Sequence, residues 1–197
     1  MGFLMRLGSM IGFRLQRLAR DWAADCRGIA ATEFAFIVPL MLVMFFGTVE
    51  FCSGIAVDRK VTLMARTLSD LTSQSTSVAD ADMTNFFAAA SSIMYPYDTT
   101  PVKATITELY VDPTTHKARA QWSKGYQPIA DKTVVSIPTA LLVDGTYLIY
   151  SKVEYLYKPT VGYVMAQAGV NLSDVAYTRP RQSTCVYYSP DTACTTK

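Results

Sequence analysis

From Phe34 to Val49 the chain carries no charged residue, and this run constrains the fold more than any other stretch. With Ile29 to Thr32 added, it reaches the roughly 20 residues that cross a hydrocarbon core as an α-helix. A secretory signal peptide would have a shorter apolar core, about 7–15 residues, closed by a small-x-small cleavage site. Glu50, Phe51 and Cys52 follow instead. The segment therefore reads as a retained membrane helix over residues 29–50.

Residues 1–28 form a basic leader. Leu4, Leu7, Ile11, Leu15 and Leu18 recur at helical spacing, with Arg6, Arg14, Arg17, Arg20 and Arg27 among them. Such a stretch can lie along an anionic membrane surface. The five arginines ahead of the apolar run outweigh Arg59, Lys60 and Arg66 behind it, which places the N-terminus in the cytoplasm and the bulk of the chain on the other side. A net charge of +2 is too small to argue for nucleic acid.

Beyond the apolar run, Val57, Val61, Met64, Leu68 and Leu71 make one apolar stripe, with Asp58, Arg59, Lys60 and Arg66 off it. The helix is thus expected to continue outside the membrane to Leu71, with a linker to residue 77. Pro39, Gly47 and Gly54 are places where it can kink or thin. "TSQSTS" is a polar break. A second helix follows, capped by Asp80 or Asp82 and burying Met83, Phe86, Phe87, Ala90, Ile93 and Met94. Strands are expected at "VKATITELYV", "ARAQWS", "YLIYSKVEYLYKP", "LSDVAYTRPR" and "CVYYS". The sum is α+β: a long N-terminal transmembrane helix continuing into a small domain over 78–197, with a second helix and an antiparallel sheet of four or five strands.

Glu33 stands inside the apolar segment, where a lone ionised acid costs several kcal/mol and usually marks a partner or a function. Snorkelling to the near interface is the plainer account. The sharper one uses Gly28. A cut after Gly28 would give Ile29 a new α-ammonium, one helical turn from Glu33. Glu33 could then neutralise that ammonium, or the same group on a neighbouring copy, and fix the axial register of a bundle.

Elsewhere the chemistry is sparse. Cys26, Cys52, Cys185 and Cys194 lack zinc-site spacing, and the single histidine, His116, is far from them. Cys185 and Cys194 can close a small disulfide loop if the tail lies outside the cytoplasm, whereas Cys26 and Cys52 flank the membrane run and could not pair. His116 reads as an exposed loop residue, and Asp112, Asp131 and Asp144 as turn formers. No Ser/His/Asp spacing, phosphate loop or HExxH appears in the sequence, so no enzyme activity, cofactor or metal is expected. All twelve tyrosines, Tyr163 among them, follow the membrane run. They read as sheet residues with a wet tip, or as a contact surface. Arg179 and Arg181 read as a solvated strand end, or as a site for an acidic partner.

"GIAATEFAFIVPLMLVMFFGTVEF" resembles the N-terminal segment of the TadE-like family, pilin-like proteins of the tight adherence (Tad) pilus system. Gly28, Glu33 and Phe34 match its pattern of glycine, four residues, glutamate and an aromatic, and Pro39 and Gly47–Glu50 fit as well. "FFAAASSIMYPYD", "LLVDGTYLIYSKVEYLYKP" and "DVAYTRPRQS" also look like family segments. Related TadG-like proteins are larger and generally lack the acid. The resemblance implies a pilin-like fold and a minor pilin or pseudopilin in the assembly or initiation of a Tad-type pilus. It implies cutting between Gly28 and Ile29 by a membrane prepilin peptidase, and a role for Glu33 and Phe34 in assembly. The implied partners are that peptidase, other Tad pilins or pseudopilins, the inner-membrane assembly platform and the lipid bilayer. The implied location is the bacterial inner membrane, with residues 51–77 and 78–197 in the periplasm. The alternative is an uncut, membrane-tethered periplasmic scaffold or binding domain.

Overall fold

The computed structural model describes residues 27–159, 169–191, 193 and 194. The leader residues 1–26, with Cys26, and Tyr163 lie outside the described residues. The chain divides into two units, Met1–Val49 and Glu50–Lys197. Each is described by itself.

One long helix, α1, is assigned from Arg27 to Ser73 and runs through Pro39. Among the described residues it is the one helix long and apolar enough to cross a membrane. In the first unit its large side chains, including Phe34, Phe36, Leu40 and Met44, stand exposed. Among the described residues nothing covers them, and a helix apolar on all sides is suited to lipid rather than water.

In the second unit the same helix becomes one-sided. Val57, Val61, Met64 and Leu68 are fully buried, as the apolar stripe predicts, and Ala65 joins them. They pack against Ile106, Ile149 and Val153 of the sheet. Each such side chain contributes about 1.5–3 kcal/mol by leaving water. The contact is close enough for main chain to be addressed directly. The Ser151 hydroxyl donates to the Ala65 carbonyl at 2.6 Å, and the Ser69 hydroxyl to the Ile149 carbonyl at 3.1 Å. The helix ends at Ser73, whose carbonyl accepts from the Arg181 N–H at 2.8 Å. One of the carbonyls that a helix terminus leaves unpaired is thereby satisfied.

After β1 (Ser77–Val78) comes the second helix, α2 (Asp80–Ser91), then a 3₁₀ turn over Ser92–Met94. Met83, Ala90 and Met94 are buried, and Phe86, Phe87 and Ile93 pack partly buried against the same core. The cap differs from expectation. Ala79 is the N-cap residue, and Asp82, three positions on, accepts the Ala79 N–H at 2.9 Å. Asp80 is free of that duty because it serves a lysine and a tyrosine described below.

Five strands follow: β2 (Val102–Asp112), β3 (Lys117–Gly125), β4 (Val134–Val135), β5 (Tyr147–Tyr157) and β6 (Val170–Thr178). They form one sheet in the order β4-β3-β2-β5-β6, antiparallel throughout. The α+β class is as the sequence predicts. Membership of the sheet is corrected at one place. "CVYYS" does not complete it; β7 (Tyr187–Tyr188) pairs in parallel with β1, which straddles the expected border between linker and domain. β4, which no sequence pattern marked, takes the fifth place.

A β-bulge governs the sheet's two faces. Leu109 pairs with Ala120, but Glu108 pairs with Trp122, so Gln121 is the extra residue. Because side chains alternate, a one-residue shift exchanges faces. Ala118 and Ala120 therefore join the outer cluster with Leu109 and Leu148, while Trp122 turns to the helix side with Ile106. At the end of β3, Gly125 has φ +120°, and a Cβ there would come within 2.2 Å of the Ala104 carbonyl, so only glycine fits.

Candidate functional site

Three groups of residues are placed by this fold: the head of α1, the end of β5 against α1, and a seat for the C-terminal segment.

At the head of α1, Gly28 lies within the helix, and a Cβ added to it would meet nothing within 4 Å. Among the described residues no packing demand accounts for the glycine. Ile29 and Glu33 are one turn apart and exposed, and Phe34 beside them is 67% exposed. The Thr32 hydroxyl turns back onto the Ile29 carbonyl at 2.8 Å. Ile29, Glu33 and Phe34 thus present a carboxylate and two large apolar groups outward.

Where β5 ends, the Tyr157 hydroxyl donates to Glu50 Oε2 at 2.9 Å. Burial, then the Glu50 carboxylate that the hydroxyl bonds, pushes the Tyr157 phenol up to about 12, so it remains a donor at any physiological pH. The ring lies 3.8 Å from where a Cβ on Gly54, one turn along, would stand, an ordinary contact distance. This contact ties the far end of a strand to the first residue after the apolar run. Sequence reasoning missed it, because it joins positions 107 apart.

The third group is more elaborate. Val186 sits between two side chains from neighbouring strands. Its N–H donates to Glu108 Oε1 at 2.6 Å, and its carbonyl accepts from the Trp122 indole at 2.7 Å. The bulge makes this possible by placing Trp122 beside Glu108 on the inner face. Glu108 is only 2% exposed. Burial pushes its carboxyl up to about 8, against the Val186 N–H and the Trp122 indole, which favour the charged form. A disulfide joins Cys185 to Cys194, their Cα atoms 5.8 Å apart.

The neighbouring residues extend the seat. Tyr188 stacks on Trp122 at 5.6 Å between ring centroids, and Lys124 Nζ lies 4.3 Å over the Tyr188 ring. The Tyr188 hydroxyl bonds Asp80, which also pairs with Lys124 at 3.3 Å. These two partners hold the exposed Asp80 carboxyl below its usual range. Glu108 was legible in outline: in "VKATITELYV" it falls in phase with Ala104 and Ile106, so alternation puts an acid on the core face.

The remaining candidates have local roles. His116 Nδ1 contacts Asp144 at 2.8 Å on the surface. The Asp112 carboxylate accepts the Thr114 N–H at 2.8 Å and the Thr115 hydroxyl at 2.8 Å within its turn. Arg181 pairs with Asp70 near the end of α1 at 2.5 Å, so its guanidinium is engaged by the protein itself, while Arg179 is exposed. Among the described residues no group of three His, Cys, Asp or Glu side chains could hold a metal ion.

The family model described as TadE-like protein matches residues 28–68, from the glycine of the anchor pattern to the buried Leu68. The resemblance carried by Gly28, Glu33 and Phe34 is matched over that stretch. No curated protein and no solved structure matches the chain.

Proposed function

We propose that this chain, TadE-like over residues 28–68, is a minor pilin or pseudopilin acting in the assembly or initiation of a Tad-type pilus. In this reading a prepilin peptidase cuts after Gly28 on the cytoplasmic face. Residues 29–50 then hold the mature protein in the bacterial inner membrane, and the α+β unit stands in the periplasm. Other Tad pilins or pseudopilins and the assembly platform are its partners.

The observation that carries the reading is the glycine–glutamate–phenylalanine pattern at the head of the apolar helix, inside the matched segment. Gly28 has open space around it and an ordinary helical backbone. A requirement from outside the fold, such as recognition by a peptidase, supplies the missing reason for glycine. Cutting also gives Glu33 a use. Hydrolysis leaves a carboxylate on Gly28 and an α-ammonium on Ile29, four residues from Glu33. Two charges that lipid tolerates poorly become one pair, within a chain or between neighbours.

The test is the mature N-terminus of protein extracted from envelopes, read by intact mass. A chain starting at Ile29 when the prepilin peptidase is present, and at Met1 when it is deleted, is the expected result. A chain starting at Met1 in both strains overturns the pilin reading in favour of an uncut periplasmic tether.

A further inference from the structure

We propose that the end of the α+β unit beside Glu50 is a membrane-seating surface, with Leu156, Tyr157, Lys158 and Val170 lying in the headgroup layer of the outer leaflet. The inference rests on the reading of residues 29–50 as a membrane helix and adds a second contact with the bilayer.

The first ground is position. Val49 is the last residue of the apolar run and Glu50 the next. Tyr157 bonds Glu50 directly, so the tip of β5 lies against the first residue after the apolar run. The headgroup layer is about 5–7 Å deep on each side. Val170 is the register partner of Tyr157 and Asn171 that of Leu156, so the start of β6 lies at the same level.

The second ground is composition. Leu156 is 37% and Val170 41% exposed, and both are aliphatic. Lys158 is exposed beside them. Apolar side chains with a tyrosine and a lysine form the mixture favoured at a membrane boundary. The ring stays at headgroup depth and the ammonium reaches the phosphates. On α1 itself, Phe51 is 70% exposed just past Glu50.

The footprint has an edge. Tyr95 is more exposed than any of these, but its carbonyl accepts from Lys60 Nζ at 2.9 Å. Lys60 is ten residues beyond Glu50, about 15 Å along the helix, so Tyr95 stands clear of the layer. Asp98, the acid of the neighbouring loop, has its carboxylate occupied by the N–H and hydroxyl of Thr100 at 2.9 and 2.8 Å.

The experiment uses the full chain in vesicles of phosphatidylethanolamine and phosphatidylglycerol, in a Trp22→Phe background so that Trp122 is a shared baseline. Leu156→Trp is compared with Val134→Trp, the latter an exposed site at the opposite sheet edge, where β3 carries β4. Lipid spin-labelled at the headgroup is expected to quench the added emission at position 156 at least twofold more than at position 134. Equal quenching at the two positions overturns the seating surface. Phe45→Trp with lipid labelled deep in its acyl chain separates the two levels of failure. Quenching at position 45 with none at position 156 removes this inference alone, and none at position 45 removes the membrane span and this inference with it.

Discussion

At the scale of single residues, two glutamates carry opposite lessons. Glu33 is an exposed acid on α1, and its setting becomes costly only when lipid surrounds it. Replacing it by alanine is expected to leave the chain in the membrane fraction but to reduce piliation severely. Normal pilus counts by electron microscopy in Glu33→Ala would defeat the pairing argument. Glu108 is an acid buried by the fold itself, its carboxyl raised from an ordinary 4.5 to about 8. Between those two values the folded protein keeps a proton that the unfolded chain has released. Its contribution to stability is therefore complete below about pH 4.5 and is lost as pH rises through about 8. The slope reaches at most about 1.4 kcal/mol per pH unit. In Glu108→Gln, chemical denaturation at pH 5 and pH 8 is expected to show that part of the pH dependence removed. An unchanged slope in the variant would assign the dependence to other groups.

At the scale of elements, α1 is one helix with two solvents. Met64 is fully buried against the sheet, while Met44 is 66% exposed in the apolar run. Truncating Met64 to alanine leaves a cavity and is expected to cost about 2–5 kcal/mol of the domain's stability. The same change at Met44 is expected to leave that stability unaltered, since its side chain is exposed in the first unit. Urea titrations of the two variants in detergent, followed by tyrosine and tryptophan emission, decide the matter, and equal losses would contradict the division. The apolar stripe from Val57 to Leu68 made the buried half readable, because 3.6-residue periodicity survives in the sequence whatever the helix packs on. The bulge at Gln121 was not readable. Its consequence, Trp122 beside Glu108, depends on how two strands register, and "ARAQWSK" alone does not state a register.

At the scale of the whole molecule, the last described stretch closes the domain on itself. β7 pairs with β1, Val186 is clamped between Glu108 and Trp122, and Cys185–Cys194 closes the loop beyond them. Opening that loop by Cys185→Ser with Cys194→Ser is expected to cost about 2–3 kcal/mol, the usual scale for a short loop. Non-reducing mass analysis of envelope protein checks the bond, and denaturation of the variant checks its worth. A variant as stable as the parent would show that the clamp alone holds the segment. The sequence by itself determined the membrane-length helix, its amphipathic continuation, the α+β class and most strand positions, because hydrophobic periodicity and length are local properties of a chain. Only the tertiary structure decided that the tyrosine-rich end pairs with Ser77–Val78, that the tip of β5 meets Glu50, and that an acid and an indole from neighbouring strands share one peptide group. Those contacts join residues 64 to 110 positions apart, and pairings at such separations are set by packing of the whole core rather than by any pattern that a short window of sequence can hold.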